Sequence, residues 1–302
     1  MLSICVPIYN YNVRALIRAL QEQCVESKLV FELNLIDDAS TTNCSEDNAQ
    51  LAKEFTNVNY AVLPTNIGRA AIRNLLASTS KYANLLYMDC DSMPCNNVYI
   101  HNYIPYLNTM QVVYGGRAYS DGVININYFL HWLYGSKREV KTTEQRALQP
   151  YISFLSNNFL VHKNIITQHP FNETITQYGH EDTLWAMLLQ QKNVPILHID
   201  NALRHIGLDD TKAFIHKTKL AVHNLHSLNA QYPKAFASVK LLRYAKHITQ
   251  LKIKSITLFC VRKIEHSLLN NLNSVTPSLL ALDVLKLYWY LTIDQKNKSS
   301  KQ

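Results

Sequence analysis

The chain is organised around residues 85–94, whose sequence is LLYMDCDSMP. The first four residues form an apolar run of the kind found in buried strands, and the run ends in Asp89 and Asp91 with one small residue between them. A buried strand is held by its neighbours, whereas the residues that follow it project from the sheet. Polar strand-end turns also contain paired acids, so the function of these two depends on the partners that the rest of the chain supplies.

Composition limits the class of protein. A chain of 302 residues can form one large α/β domain with an appendage, or two small domains. The fractions of hydrophobic residues (47%) and charged residues (17%) indicate a folded protein with a core. The six cysteines include no Cys-x-x-Cys pair, and the chain begins with strand-like residues, so we expect reduced thiols and no signal peptide. No apolar run reaches about 18 residues, which predicts no transmembrane helix.

The first ninety residues alternate between strand and helix patterns. The helices follow positions 15–20, 46–55 and 70–78, and the strands are expected at residues 2–9, 31–36, 59–63 and 83–88. This alternation predicts a parallel, doubly wound sheet, in which ligands bind beyond the carboxyl ends of the strands. Asn10, Asp37 and Asp38 fall at such ends, together with Asp89 and Asp91.

The loop after the first strand excludes two common nucleotide-binding classes. It contains neither the Gly-x-Gly-x-x-Gly of dinucleotide dehydrogenases nor the lysine of P-loop enzymes. The predicted site has carboxylates where those proteins have glycines. Phosphate groups would therefore be neutralised through a bridging divalent cation, and aspartate oxygens suit Mg²⁺ or Mn²⁺.

Five short motifs occur in order along the chain. They are VPIYN at 6–10, DDAS at 37–40, NIGR at 66–69 with RN at 73–74, DCD at 89–91 and GHED at 179–182. Each is weak alone, but the set resembles the GT-A-fold, inverting nucleotide-sugar glycosyltransferases of family 2 over roughly residues 1–212. The resemblance implies an α/β fold: a GT-A, Rossmann-like, mostly parallel sheet flanked by helices, with a helical C-terminal appendage.

The resemblance implies a donor site at the sheet edge. Asp38 would accept a hydrogen bond from uracil N3–H, which makes a UDP-sugar the expected donor. Arg69 or Arg73 would reach the diphosphate, and an ion pair between Arg73 and an acid of the site is an equal alternative. Pro7 and Tyr9 would pack against the nucleobase, and Gly68 would let the backbone approach the nucleotide. The complete predicted nucleotide-sugar site is Pro7, Tyr9, Asn10, Asp38, Asn66, Gly68, Arg69, Arg73, Asp89 and Asn158.

The resemblance also implies a metal site that holds Mn²⁺ or Mg²⁺. Asp91 would coordinate the cation, and Asp89 would bind the ribose or a metal-bound water, with direct coordination by Asp89 left open. His205 lies where many such enzymes have a histidine that completes the metal shell. A hydrogen bond from His205 to a loop is the alternative. The cation would stabilise the nucleoside diphosphate as it leaves the anomeric carbon.

By the same resemblance, Asp182 would be the general base and Glu181 would position neighbouring groups. Both acids precede an apolar run and so are expected at a helix N-terminus, where capping the helix is the alternative role. We expect the helix dipole to keep Asp182 ionised, as a base acting near neutral pH requires. A single displacement assisted by one base inverts the anomeric centre.

The excess positive charge lies in the C-terminal region. Residues 234–265 carry eight basic residues against Glu265 alone, a net charge of +7 out of +8 for the whole chain. We predict a catalytic domain at 1–228, with a nucleotide-binding half at about 1–116 and an acceptor half at about 117–228, and a basic amphipathic helical region at 229–302. The stretch 234–290 suits an anionic membrane surface. Packing on the catalytic domain or on a second copy is the alternative, and nucleic acid is not expected because no binding motif is found.

The sequence therefore predicts a metal-dependent, inverting glycosyltransferase of hexosyl or N-acetylhexosaminyl type. Its acceptor would be a hydroxyl of a glycan or lipid-linked saccharide, in lipopolysaccharide, capsule or other surface polysaccharide synthesis, and its location cytoplasmic or peripheral on the inner membrane face. The alternatives are a sugar-nucleotide nucleotidyltransferase and an inactive nucleotide-sugar-binding protein. A processive synthase would add Gln-x-x-Arg-Trp and transmembrane helices. Two departures from the family pattern are Ala39, where glycine is usual, and Cys90 between the acids.

Overall fold

The structure, a computed structural model, describes residues 1–122 and 125–299. The chain divides into two compact units, which we call the sheet unit and the helical unit. The sheet unit comprises Met1–Ser120, Glu139–Thr176 and Glu181–Gly207. The helical unit comprises Asp121–Arg138, Gln177–His180 and Leu208–Gln302. The domain limits predicted from the sequence concern function as well as compactness, and they stay a prediction.

Within the described residues, the sheet unit contains a sheet of seven strands and a second sheet of three. The strands are β1 (Leu2–Ile8), β2 (Phe31–Asp37), β3 (Val58–Val62), β4 (Asn84–Met88), β5 (Ser92–Pro94), β6 (Val112–Tyr114), β7 (Arg117–Ala118), β8 (Asn158–His162), β9 (Ile196–His198) and β10 (Leu203–His205). The large sheet has the order β3-β2-β1-β4-β8-β6-β9, and the small one β5-β10-β7. Strands β1 to β4 run parallel and β8 runs antiparallel between β4 and β6. The predicted mostly parallel sheet is confirmed.

Helices flank the sheet and continue through the C-terminal region. The sheet unit has α1 (Arg14–Glu26), α2 (Cys44–Glu54), α3 (Gly68–Thr79), α5 (Thr143–Ala147), α6 (Lys163–Gln168) and α7 (Glu181–Gln191). The helical unit has α4 (Phe129–Tyr134), α8 (Thr211–Gln231), α9 (Pro233–Phe236), α10 (Lys240–Gln250), α11 (Lys254–Leu272) and α12 (Leu279–Ser299). None of the helices described is long and apolar enough to span a bilayer.

Strand β4 is buried on both faces because its alternate side chains enter two different apolar clusters. Leu86 and Met88 join a cluster that includes Leu16 and Leu20 of α1, while Leu85 and Tyr87 join a second cluster containing residues of α3 and α7. A strand that is covered by helices on both faces has a continuous apolar sequence, and residues 85–88 show this pattern. The polar residues directly after β4 are thereby fixed at the sheet edge.

The helical unit has a core of its own. Phe214 and Val222 of α8 pack with Leu272 of α11 and with Leu282 and Leu285 of α12. Each helix thus contributes an apolar stripe to a shared interior, which is how helices bury one face while leaving the other to solvent. The predicted helical character of the C-terminal region is confirmed.

Candidate active site

The carboxyl ends of β1, β2 and β4 meet at one edge of the large sheet. Ile8 pairs with Asp37 in the parallel register of β1 and β2, and Cys5 pairs with Tyr87 between β1 and β4. The turns that follow these strands therefore lie side by side. They carry the acids that the sequence singled out, so the predicted site has a common location in the fold.

Asp37 is saturated by hydrogen bonds from the protein. Its buried carboxylate accepts from the Ser40 backbone N–H at 2.7 Å, the Ser45 hydroxyl at 2.8 Å and the Tyr60 hydroxyl at 2.9 Å. Burial alone would raise the pKa of Asp37, but these hydrogen bonds outweigh it and lower the pKa. Ala39 within this turn has a φ of 59°, a left-handed conformation. Asp37 thus holds the turn after β2 in a conformation that an alanine adopts only under constraint.

Asp38 binds the N-terminus of α3. Its carboxylate oxygens accept from the backbone N–H of Ile67 at 2.7 Å and of Gly68 at 3.0 Å, and its carbonyl accepts from the Asn66 side chain at 3.1 Å. Gly68 has a φ of 84° and open space where a Cβ would lie, so glycine is needed there for the backbone conformation. Each carboxylate oxygen has a second lone pair, so recognition of a nucleobase by Asp38 stays a prediction.

Asn10 links the turns after β1 and β2. Its backbone N–H donates to the Ser40 hydroxyl at 2.7 Å, and its side-chain oxygen accepts from the Thr41 N–H at 2.8 Å. The neighbouring Tyr9 side chain is half exposed, and Pro7 is partly buried in β1. Asn10 therefore stabilises the loops, while Tyr9 offers an exposed ring at the edge of the predicted base site.

Arg73 bridges two acids of the site. Its guanidinium, which is 2% exposed, lies 3.3 Å from Glu181 Oε1 and 3.6 Å from Asp89 Oδ1, and it stacks over the Phe171 ring. The side chain of Arg69 is about half exposed and its Nη1 lies 3.9 Å from the same Glu181 oxygen. Of the two arginines predicted at the diphosphate, Arg73 has the ion-pair geometry given as the alternative, and Arg69 has the exposure that a ligand contact needs.

Asp91 and His205 lie together because β5 pairs with β10. His205 faces Ser92 in the antiparallel register, and its Nδ1 is 3.3 Å from Asp91 Oδ1. The Asp91 carbonyl accepts from the backbone N–H of Ile206 at 2.9 Å, and a Cβ on Gly207 would lie 2.5 Å from the Asp91 Cβ. Burial would raise the pKa of Asp91, but His205 and nearby arginines lower it to about 2. Asp91 is thus an ionised carboxylate beside an imidazole, with a glycine opposite that leaves it room.

These residues fit a divalent cation as two ligands of a larger set. Asp91 supplies an oxygen and His205 an imidazole nitrogen, both of which coordinate divalent metals. Within the described ranges no group of three or more His, Cys, Asp or Glu side chains is placed to hold a metal ion. Such cations are commonly held by one or two protein ligands plus substrate phosphates and water, so a two-residue site fits a metal that binds together with the donor.

Sequence reasoning missed a second group of residues next to His205. Tyr119 donates to Glu139 at 2.6 Å, the Arg117 Nε lies 3.4 Å from the same carboxylate, and the Tyr119 ring packs edge-on to His205 at 5.5 Å. Burial opposes the charge of Arg117, but Glu139 and the site aspartates raise its pKa. Arg117 begins β7, which pairs with β10, so only the fold brings it to the site.

Asp182 lies in the first turn of α7, as predicted, but with a raised pKa. Its carboxylate accepts from the Thr183 N–H at 2.7 Å, while burial and the adjacent Glu181 raise its pKa to about 6. The pKa of Glu181 is lowered, because Arg69 and Arg73 outweigh its burial. We expected the helix dipole to dominate at Asp182, whereas burial and the neighbouring carboxylate do. At pH 7 the group is still mostly ionised and able to accept a proton.

Asn158 hydrogen-bonds inside the core of the sheet unit. The side chain is fully buried, and its oxygen accepts from the hydroxyls of Tyr99 at 2.6 Å and Tyr103 at 2.7 Å. Its amide group donates to the carbonyls of Gly116 and Asn201, both at 2.9 Å. All four hydrogen-bonding positions of the amide are thus used by the protein. These hydrogen bonds favour a structural role for Asn158 in the core, and its place in the nucleotide-sugar site stays a prediction.

Comparison with known proteins gives one family and one fold. The family model of glycosyl transferase family 2 matches residues 3–169, more than half of the chain. No curated protein matches the chain by sequence. Among solved structures, the mannosyltransferase PcManGT from Pyrobaculum calidifontis, in complex with GDP-Man and Mn²⁺, has a TM-score of 0.60 at 11% identity, covering 97% of this chain and 87% of that one.

Two further structures are similar to parts or all of the chain. GalNAc-T7 with UDP, GalNAc and Mn²⁺ has a TM-score of 0.51 at 14% identity, over 69% of this chain and 43% of that one. S. aureus TarS 1-349 has a TM-score of 0.47 at 17% identity, over 99% and 91% of the two chains. At such low identities the likeness to PcManGT and GalNAc-T7 concerns the fold, which is the GT-A-like architecture that the sequence predicted.

Proposed function

The chain belongs to glycosyl transferase family 2, and we propose that it transfers one sugar from a nucleotide-sugar donor to a hydroxyl of a glycan or lipid-linked saccharide, with inversion. One observation carries this proposal. Arg73 connects Asp89, beside the predicted metal ligand, to Glu181, beside the predicted base. The buried guanidinium of Arg73 thus holds the leaving-group side of the site and the base side in a fixed position relative to one another.

The donor would lie along the carboxyl edge of the large sheet. Arg69 is exposed enough to contact the diphosphate, and Asp38 retains lone pairs for the nucleobase. We propose UDP as the nucleotide because the family resemblance places Asp38 at uracil N3–H. PcManGT was captured with GDP-Man and GalNAc-T7 with UDP, so the fold accommodates either base and the choice must be measured.

Asp91 and His205 would hold the cation, for which we propose Mn²⁺ or Mg²⁺. Bound there, a divalent cation supplies electrostatic stabilisation of the charge that develops on the departing diphosphate. Mn²⁺ in PcManGT and in GalNAc-T7 supports this choice. Arg117, which is largely buried, pairs with Glu139 and adds fixed positive charge near the site aspartates.

Asp182 would act as the base. The acceptor hydroxyl oxygen attacks the anomeric carbon on the face opposite the diphosphate, the bond from that carbon to the phosphate oxygen breaks, and the hydroxyl proton passes to Asp182. The raised pKa of Asp182, about 6, suits this role, because a base is most effective when its pKa is near the working pH. Glu181 keeps Arg73 in place and itself stays ionised.

We propose that the enzyme acts in the cytoplasm and that its product is used in the synthesis of a surface polysaccharide. All six cysteines are free in the structure, as suits a reducing compartment. We propose a hexosyl or N-acetylhexosaminyl donor, and the mannose of GDP-Man in PcManGT and the GalNAc in GalNAc-T7 are sugars of these two types. Mass spectrometry of products formed from a panel of such donors identifies the sugar that is transferred.

Nucleotide binding tests the proposal directly. We expect UDP to raise the melting temperature of the full chain in the presence of Mn²⁺ and to have a much smaller effect with EDTA. GDP in the same assay tests the base preference. If no nucleoside diphosphate stabilises the protein in a metal-dependent way, the transferase proposal is wrong. Metal-dependent stabilisation without donor hydrolysis or transfer would instead identify an inactive nucleotide-sugar-binding protein.

A further inference from the structure

Apolar side chains are exposed where α10 turns into α11. Leu251 is 68% exposed, Ile256 61% and Phe259 63%, and Ile253 between them is also exposed. We call these four residues the apolar tip. Ile256 and Phe259 are three positions apart on α11 and so project from the same helix face, next to the turn that carries Leu251 and Ile253. Scattered exposed apolar residues are common, but four within nine positions form a patch, and such patches mark interaction sites.

Helix α11 is apolar on two faces. Leu268 and Leu269 pack against the helical-unit core, and Leu272 is buried in it. Ile256 and Phe259 belong to none of the apolar clusters that the described residues form. An amphipathic helix normally turns polar residues to solvent, and a second apolar face indicates that something outside the helical unit covers it.

Exposed basic side chains precede, interrupt and follow the apolar tip along the chain. Arg243 and Lys246 on α10, Lys252 in the turn and Lys263 on α11 are exposed, and the Lys263 ammonium lies 5.5 Å from the centre of the Phe259 ring. Glu265 is the only acid in residues 234–272. Burial and Glu265 together raise the pKa of Tyr288, which places that acid against α12. The segment that carries the tip, residues 234–272, is thus strongly basic, and its single acid lies against α12.

We propose that the apolar tip docks the protein on an anionic lipid bilayer, with Leu251, Ile256 and Phe259 entering the headgroup region. Exposed aliphatic and aromatic side chains flanked by lysine and arginine match such a surface, in which apolar burial and attraction to anionic headgroups act together. A second copy of the chain fits less well, because it would bring two like-charged surfaces into contact. This docking does not depend on the proposed glycosyl transfer.

Vesicle sedimentation with the full chain tests the proposal. We expect binding to vesicles of phosphatidylcholine mixed with phosphatidylglycerol, little binding to phosphatidylcholine alone, and weaker binding at high salt. The double variant Ile256→Ser/Phe259→Ser should bind about tenfold more weakly. Both side chains are exposed, so its melting temperature should stay close to that of the parent. Lys252→Glu/Lys263→Glu should reduce binding to the anionic vesicles as well.

Val275→Ser is the matched control. Val275 is 71% exposed and lies beyond the other end of α11, so its loss should leave vesicle binding unchanged. Equal loss of binding in the control and in the double variant would overturn the proposal, as would equal binding to neutral and anionic vesicles. A dimer in solution that Phe259→Ser dissociates, without vesicle binding by the parent, would assign the tip to a second copy. Retention on nucleic acid without vesicle binding would assign it to that partner instead.

Discussion

The two pairs of acids at the sheet edge look alike in sequence and differ in their hydrogen bonding. After β2, Asp37 accepts three hydrogen bonds and Asp38 accepts two from backbone N–H groups. After β4, Asp89 faces Arg73 at 3.6 Å and Asp91 faces His205 at 3.3 Å. Among the described residues, the first pair accepts hydrogen bonds from the protein through both carboxylates, while the second pair lies at ion-pair distance from Arg73 and His205.

This difference ranks the acids by how far the protein itself uses their oxygens: Asp37 most, Asp38 less, and Asp89 and Asp91 least. Carboxylate oxygens that accept several protein hydrogen bonds hold loops in place, and removing them leaves buried donors without partners. Carboxylate oxygens that accept few keep lone pairs for a metal ion or a sugar hydroxyl. At α7 the two acids also differ: Glu181 is held by Arg73, whereas Asp182 accepts from the Thr183 N–H and hydroxyl, both through Oδ1.

The largest effect is expected from Asp91→Asn. It removes the charge that a divalent cation needs, so transfer should fall by about 10²- to 10³-fold and the Mn²⁺-dependent stabilisation by nucleotide should disappear. Initial rates and melting curves with nucleotide and Mn²⁺ measure both. Asp200→Asn, which changes an exposed acid outside the site, is the control. A parental rate of transfer in Asp91→Asn would mean that Asp91 has a structural role and does not hold the metal ion.

Asp37→Asn should act in the opposite way, on stability. The new NH2 group would face either the Ser40 N–H or the Ser45 and Tyr60 hydroxyls, depending on which oxygen it replaces, so we expect a loss of about 2–3 kcal/mol in the free energy of unfolding. Urea denaturation at pH 7 measures it. Glu46→Gln, at an exposed acid in the first turn of α2, should change stability by less than about 0.5 kcal/mol. An unchanged urea midpoint for Asp37→Asn would mean that these hydrogen bonds do not hold the turn.

Asp182 links activity to pH. Because its folded pKa is about 6, transfer should fall about tenfold per pH unit below pH 6 as the base becomes protonated. The folded pKa lies above the ordinary value of 3.8, so ionised Asp182 opposes folding at pH 7, and this penalty is relieved as the pH falls from 6 towards 3.8.

Asp182→Asn should therefore abolish most transfer while leaving donor binding intact. Its free energy of unfolding at pH 7 should be about 1 kcal/mol higher than that of the parent, and the difference should vanish below pH 4. Rate profiles and denaturation at both pH values measure these effects, with Asp200→Asn again as the control. Retained transfer, or a pH profile that is flat between 5 and 7, would remove Asp182 from the role of base.

The sequence predicted the sheet because its signals are local. The apolar run of residues 85–88, the strand–helix alternation and the acids at strand ends can all be read within a few positions. The family resemblance then placed Asp91 and His205 together, although 114 positions separate them, and the structure has them 3.3 Å apart. What the sequence predicted well was thus local pattern and motif order.

Contacts chosen by tertiary packing could not be predicted. Asn158 lies next to a strand end, as a ligand-binding residue would, but Tyr99 and Tyr103, 59 and 55 positions away, occupy its oxygen. The group of Arg117, Tyr119 and Glu139 has no motif of its own and forms only when β7 pairs with β10. Polar side chains at a strand end are thus candidates, and hydrogen-bond saturation decides among them.

The smallest predicted effect concerns the turn held by the saturated pair. Ala39 adopts a φ of 59°, where a Cβ is unfavourable by about 1 kcal/mol, so Ala39→Gly relieves strain in the folded state. Glycine also gains freedom in the unfolded chain, which offsets part of this gain. We expect a net rise of about 0.5 kcal/mol in the free energy of unfolding, measured by urea denaturation.

Ala61→Gly in β3 is the matched control for this change. Residue 61 is exposed and lies in an extended strand, where the same substitution should lower stability by about 0.5–1 kcal/mol. Opposite signs for the two alanines would show that the turn after β2 holds Ala39 in a strained left-handed conformation. Equal losses would mean that the turn after β2 tolerates a Cβ at residue 39 without strain. The hydrogen bonds of Asp37 and Asp38 would then constrain this turn less than their number indicates.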